Sequence, residues 1–168
     1  MACALTQGYT LDCRDSLGGI VEVYFTEAAN VSSTTEASGV ITALTKASGK
    51  RFWKYELVKD TSMFNQTLNS SVANGTVFYS QELMIVLNKL QVNTRNEILL
   101  LAQNSLVAVV KDSNGLYWYL GKTRGIDLTA GTAQGDRSGF TLTFTGSEPA
   151  LAPSVQSSVA TQLTTPGS

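Results

Sequence analysis

The sequence predicts a mainly β protein: an antiparallel β-sandwich or partly closed β-barrel with one short flanking α-helix. Three stretches carry that prediction. Phe140-Thr141-Leu142-Thr143-Phe144-Thr145 sets three apolar side chains against three threonines, the period of a half-buried strand. Asn74-Gly75 and Asn114-Gly115 each separate two strand-like runs and mark hairpins, since both residue types tolerate the positive φ of a tight turn. Thr94 to Gly121 encodes a helix, a strand, a turn and an aromatic strand in succession.

In chain order, residues 1–18 hold Gly8, Asp12, Asp15 and Gly18-Gly19 and read as a turn-rich arm. Ile20 to Thr26 is a strand with Val21, Val23 and Phe25 on one face and Glu22 and Tyr24 on the other. Glu27 to Ser38 is polar and reads as a loop. Gly39 to Thr45 is a second strand, and Ala47-Ser48-Gly49-Lys50 a turn. Arg51 to Lys59 is a third, with Trp53, Tyr55 and Leu57 on one face.

Phe64 to Val72 alternates more weakly. Thr76 to Leu90 fits strand or helix, and the Asn74-Gly75 turn favours strand through about Leu87 by pairing it with Phe64–Val72. Thr94-Arg95-Asn96-Glu97 has capping-box spacing ahead of Ile98-Leu99-Leu100-Leu101-Ala102 and predicts a helix ending near Gln103-Asn104. Ser105 to Lys111 is too short and too rich in valine for a helix. Asp112-Ser113-Asn114-Gly115 turns it into Leu116–Gly121.

Lys122 to Ser138 is a Gly-rich connection with a short strand at Ile126–Thr129, and Phe140–Thr145 closes a single β domain, 1–150, with its N-terminal arm. From Ser147 onward the prolines and small polar residues predict a tail, 151–168, flexible and without a core of its own. The expected total is about seven strands.

Composition excludes several functions. At 43% hydrophobic, 15% charged and net charge −1, the chain is globular and offers phosphates no electrostatic attraction. No signal peptide or membrane span is expected, and the chain is read as made in the cytoplasm. There is no histidine, which removes the commonest general base, nucleophile activator and zinc ligand. Cys3 and Cys13 read as free thiols rather than a disulfide framework or a zinc site.

Asp12 and Asp15 lack EF-hand spacing and read as turn residues. Gly131-Thr132-Ala133-Gln134-Gly135 lacks the lysine of a phosphate loop. The glycosylation-type sequons at Asn30, Asn65, Asn69 and Asn74 fall out of Asn/Ser/Thr-rich composition. Trp53, Tyr55, Tyr117, Trp118 and Tyr119 are either core and interface or a sugar-stacking platform. No catalytic, cofactor-binding or metal-binding residues are identified, and the chain is not expected to be an enzyme.

Four segments carry a likeness: Gly8-Tyr9-Thr10-Leu11-Asp12-Cys13-Arg14-Asp15-Ser16-Leu17-Gly18-Gly19-Ile20, Thr94-Arg95-Asn96-Glu97-Ile98 with the Asn114-Gly115 hairpin, Tyr117-Trp118-Tyr119-Leu120-Gly121, and Gly139 to Pro149. With them the chain resembles the tail tube proteins of tailed bacteriophages, of the kind found in phages of Bacteroidetes. The resemblance implies a virion structural protein that self-assembles into stacked hexameric rings around a DNA-ejection channel. Its partners would be copies of itself and other tail or neck proteins. DNA would pass without specific binding, and no cofactor or membrane would be involved. Two alternatives stand beside it: another virion component (neck, tail completion or capsid decoration) and a carbohydrate-binding or adhesin β-sandwich.

Overall fold

The computed structural model describes residues 20–57, 62–88, 92–134 and 139–165. The arm reading of residues 1–18, with Cys3, Cys13, Asp12, Asp15 and Gly18-Gly19, lies outside them. The described chain is mainly β, with eleven strands in two sheets and two short α-helices. The strands are β1 (Ile20–Glu27), β2 (Val31–Ala37), β3 (Val40–Lys46), β4 (Trp53–Glu56), β5 (Met63–Ser71), β6 (Thr76–Asn88), β7 (Leu106–Asp112), β8 (Tyr117–Leu120), β9 (Asp127–Gln134), β10 (Gly139–Glu148) and β11 (Ser154–Val155). Helix α1 (Val92–Gln103) joins β6 to β7, and α2 (Ser157–Ala160) follows β11.

The larger sheet runs β2-β3-β11-β8-β7-β1-β4 and the smaller β5-β6-β10-β9. Every pairing is antiparallel except β11 with β3. Between the sheets lies the main core. Val23 and Phe25, Leu106, Ala108 and Val110, and Leu120 meet Leu83, Ile85 and Leu87, and Phe140, Leu142 and Phe144. The alternation of β10 is realised: Phe140, Leu142 and Phe144 are buried while Thr141, Thr143 and Thr145 are only partly covered. In β1 a bulge between Ile20 and Glu22 takes Val21 out of the simple alternation, leaving Val23 and Phe25 inward.

β7 explains why its sequence is a continuous apolar run. Leu106, Ala108 and Val110 face the smaller sheet, while Val107 and Val109 face a second core on the opposite side. That second core contains Tyr24, Ile41, Phe52, Tyr119, Val155, Ala160 and Leu163. A strand covered on both faces has no polar positions to alternate with.

Several sequence expectations need correction. Glu27–Ser38 is not a loop: Ala28–Asn30 forms a 3₁₀ turn and Val31–Ala37 is β2, paired along its length with β3. The tight primed turn lies here, at Ser38-Gly39, whose φ values are 53° and 78°. Residues 151–165, expected as a tail without a core, bury Ala152, Val155, Ala160 and Leu163. Helix α1 starts at Val92, so Thr94 lies inside the helix rather than at its N-cap; the side chains of Thr94 and Glu97 are not among those described.

The hairpin between β7 and β8 is present, with different turn chemistry. Gly115 has φ 86°, but Asn114 does not share the positive φ that a primed turn needs at both positions. The amide of Asp112 donates to the carbonyl of Leu116 (2.9 Å), and that of Gly115 to the carbonyl of Asp112 (3.1 Å), giving a three-residue loop with a left-handed third residue. The Asp112 carboxylate braces it, accepting from the amides of Asn114 and Leu116 through Oδ1 (both 2.9 Å) and from Trp118 Nε1 through Oδ2 (3.1 Å). A Cβ at Gly115 would meet open space, so a substitution there strains only the backbone. Gly115→Val is expected to destabilise the protein by about 1–3 kcal/mol, read from a chemical-denaturation midpoint. An unchanged midpoint would contradict the left-handed assignment.

Candidate functional site

Taken as a binding platform, the aromatic residues do not come together. Successive residues of β8 point to opposite faces, so Trp118 packs toward the main core while Tyr117 and Tyr119 belong to the second. Tyr119 is 1% exposed, and its hydroxyl is held well above its usual range, first by burial and then by the nearby Glu148 carboxylate. On β4, Tyr55 packs edge-on against Phe25 (centroids 5.4 Å apart), and Trp53 stands exposed with the Arg51 guanidinium 4.4 Å from its ring. No flat aromatic row results among these five.

Among the described residues, no group of three His, Cys, Asp or Glu side chains is placed to hold a metal. Gly131 to Gln134 lie within β9. Of the sequon asparagines, Asn30 Nδ2 donates to Thr26 Oγ1 (3.1 Å), and Asn69 Nδ2 donates to Ser80 Oγ (2.8 Å). Asn65 is exposed on β5, and Asn74 lies in the β5–β6 turn.

The buried polar groups act as fasteners. Glu148, 3% exposed, reaches from the end of β10 to the loop after β8, where Oε1 accepts from the amides of Thr123 and Arg124 (both 3.0 Å) and Oε2 from Thr123 (3.1 Å). Gln81 Oε1 accepts from the amide of Gly121 (3.0 Å), and Gln66 Oε1 from that of Ala152 (2.7 Å). These contacts tie the smaller sheet to the loops of the larger one. Each of these acceptors meets backbone donors of this same chain.

On the far side of β1, Glu22 lies between Lys54 on β4 (2.6 Å) and Lys111 on β7 (3.5 Å). The Lys54 contact is one of proximity, since Glu22 Oε2 has no aligned hydrogen bond. Burial acts to raise the Glu22 pKa, but the two ammonium groups outweigh it and hold the carboxyl below its ordinary value.

The feature with the widest reach is the distribution of cations. Of the described lysines and arginines, Arg95 lies on α1, and the others lie on β3, β4 and β7 and in the loops 47–52 and 121–125: Lys46, Lys50, Arg51, Lys54, Lys111, Lys122 and Arg124. None lies on β5, β6, β9 or β10. The smaller sheet's outward face carries Asn65, Thr67 and Asn69 from β5, Ser80 and Glu82 from β6, and Thr141, Thr143 and Thr145 from β10, with Met84 and Val86 between them. Thr145 and Thr129 bring their hydroxyls to 3.4 Å across the β9–β10 pair. The only charged groups on this face among the described residues are the carboxylates Glu82 and Asp127.

Past Gln66 and Gln81, the β5–β6 hairpin continues without a charged residue from Ser62 to Gln81. It leaves Leu68, Val72 and Val77 exposed, Val72 at 97%. Sequence reasoning missed the sidedness, which emerges only when strands distant in the chain become neighbours, and it missed the apolar tip, because the alternation of two paired runs does not show which apolar side chains remain uncovered. No family model, no curated protein and no solved structure matches the chain.

Proposed function

We propose that this chain is a tail tube protein of a tailed bacteriophage, a virion structural protein that assembles into stacked hexameric rings and conducts DNA through their channel. The observation that carries the proposal is the outward face of the four-stranded sheet, on which no lysine or arginine lies among the described residues. A wall along which DNA must slide cannot neutralise its phosphates, because each Lys or Arg contact releases counterions and holds the polymer. A face of hydroxyls and amides, with a few apolar side chains and, among the described residues, two carboxylates, suits that wall, and the cation-bearing sheet suits the outside of the ring.

Assembly is supported by what the fold leaves open. β5 and β9 are the edges of the smaller sheet, and neither carries a lysine or proline that would block pairing with another copy. The apolar hairpin tip offers Leu68, Val72 and Val77 to a neighbour along the stack. The sugar-binding alternative loses its support with the divided aromatic set.

Negative-stain microscopy and sedimentation of the purified chain test this reading. Tubes with a regular axial repeat are expected at high micromolar concentration. Isolated rings would favour a neck or completion protein instead. Monomers alone, at every concentration reached, would overturn the proposal.

A further inference from the structure

The seven-stranded sheet is interrupted in chain order. β3 pairs with β2 on one side and, on the other, only with the two residues of β11. β8 pairs with β7 and, across the same gap, with β11. Without residues 151–165, the β2–β3 hairpin would have no strand partner in the rest of the sheet.

Three kinds of contact seat this segment. The amides of Ser154 and Gln156 donate to the carbonyls of Gly39 (2.9 Å) and Ile41 (3.0 Å), and that of Tyr119 donates to the carbonyl of Pro153 (2.9 Å). Val155, Ala160 and Leu163 are buried in the second core, and the Phe52 amide donates to the Leu163 carbonyl (2.9 Å). The Lys46 ammonium, its pKa lowered by burial, donates to the carbonyls of Gln162, Leu163 and Thr165. The segment enters through a hinge of three exposed residues, Pro149, Ala150 and Leu151, the last 56% exposed.

We propose that residues 151–165 are a releasable strap whose seat, the slot between β3 and β8, is filled by the same segment of a second copy when the protein assembles. The slot already fits this sequence in detail: it supplies strand edges on both sides of Val155, a floor of Ile41 and Tyr119, and a cation for the final carbonyls. Exchange between copies keeps those contacts and changes only the path of the hinge, which makes it a low-cost route to association. The proposal stands apart from the tube reading, because any assembly of this chain could use it.

Two measurements on the full chain decide it. In the unmodified monomer, amide exchange of residues 31–46 and 154–165 is expected to proceed as one unit, at least tenfold faster than in β6 and β10. Exchange at one rate throughout would show that the strap does not open by itself.

Second, Val40→Cys and Ser154→Cys place thiols on paired residues of β3 and β11, with Cys3→Ser and Cys13→Ser removing the native thiols. Oxidation after assembly is expected to give covalent multimers on a non-reducing gel. Assembled particles that release only internally bridged monomers would overturn the exchange while leaving the tube reading intact. Interchain bridges without tubes would do the reverse. If the double-cysteine chain does not fold, the exchange profile of the unmodified protein alone decides whether the strap is releasable, and a uniform profile ends the proposal.

Discussion

Phe144→Ala is expected to lower stability by about 3–5 kcal/mol, the range for emptying a large aromatic site in a core. Phe144 is fully buried between the two sheets, with its ring 4.8 Å from that of Phe25. Truncation would remove the contact that joins β10 to β1 across the sandwich. A chain of this size loses about 2–4 °C of melting temperature per kcal/mol, so the shift should reach roughly 6–20 °C. Thr143→Ala, one residue away on the outward face, is the comparison and should stay within about 0.5 kcal/mol of the parent. Equal effects at the two positions would mean that the faces of β10 are assigned wrongly.

Glu148→Ala is the second large effect. The carboxylate is the acceptor for two consecutive backbone amides, and alanine leaves both without it beside a buried wall. A loss on the order of 2–4 kcal/mol is expected, from unmet buried donors and a lost charge-assisted contact. Glu148→Gln keeps one acceptor oxygen and should recover part of that loss. The reading specific to this role is local: amide exchange at Thr123 and Arg124 should accelerate in both variants, more in the alanine. Unaltered exchange at those two amides, whatever the global stability, would show that the loop is held by something else.

The parts of the fold legible in the sequence are those whose stability is local or strictly periodic. β10 shows its two faces in six residues, and the short valine-rich run of β7 marks it as strand rather than helix. The hairpin at residues 112–116 is announced by Asn114-Gly115, although the structure uses only the glycine's left-handed freedom and recruits Asp112 for the rest.

What stayed hidden depends on partners distant in the chain. β2 is an edge strand with mostly exposed side chains, so Val31–Ala37 has no apolar period, and its order comes from the ladder to β3. Val155, Ala160 and Leu163 are sparse among serines and threonines and become a core only when Ile41, Phe52 and Tyr119 stand opposite. Phe52, fully buried, precedes β4 and falls outside its alternation. The candidate functional surface was legible only as an absence, in the low charge and the missing histidine. Its sidedness required the sheet order.

The gap between β3 and β8 also sets a timetable for synthesis. Both edges exist once Leu120 has been made, yet the strand that joins them is not complete until Val155. At elongation rates of about 5–20 residues per second, the intervening stretch takes a few seconds to appear. Throughout that interval β3 and β8 have no strand to join them. On a polysome, where identical chains emerge side by side, this is the period in which a holdase chaperone has most to protect, and in which a neighbouring nascent chain is the nearest competitor for the slot.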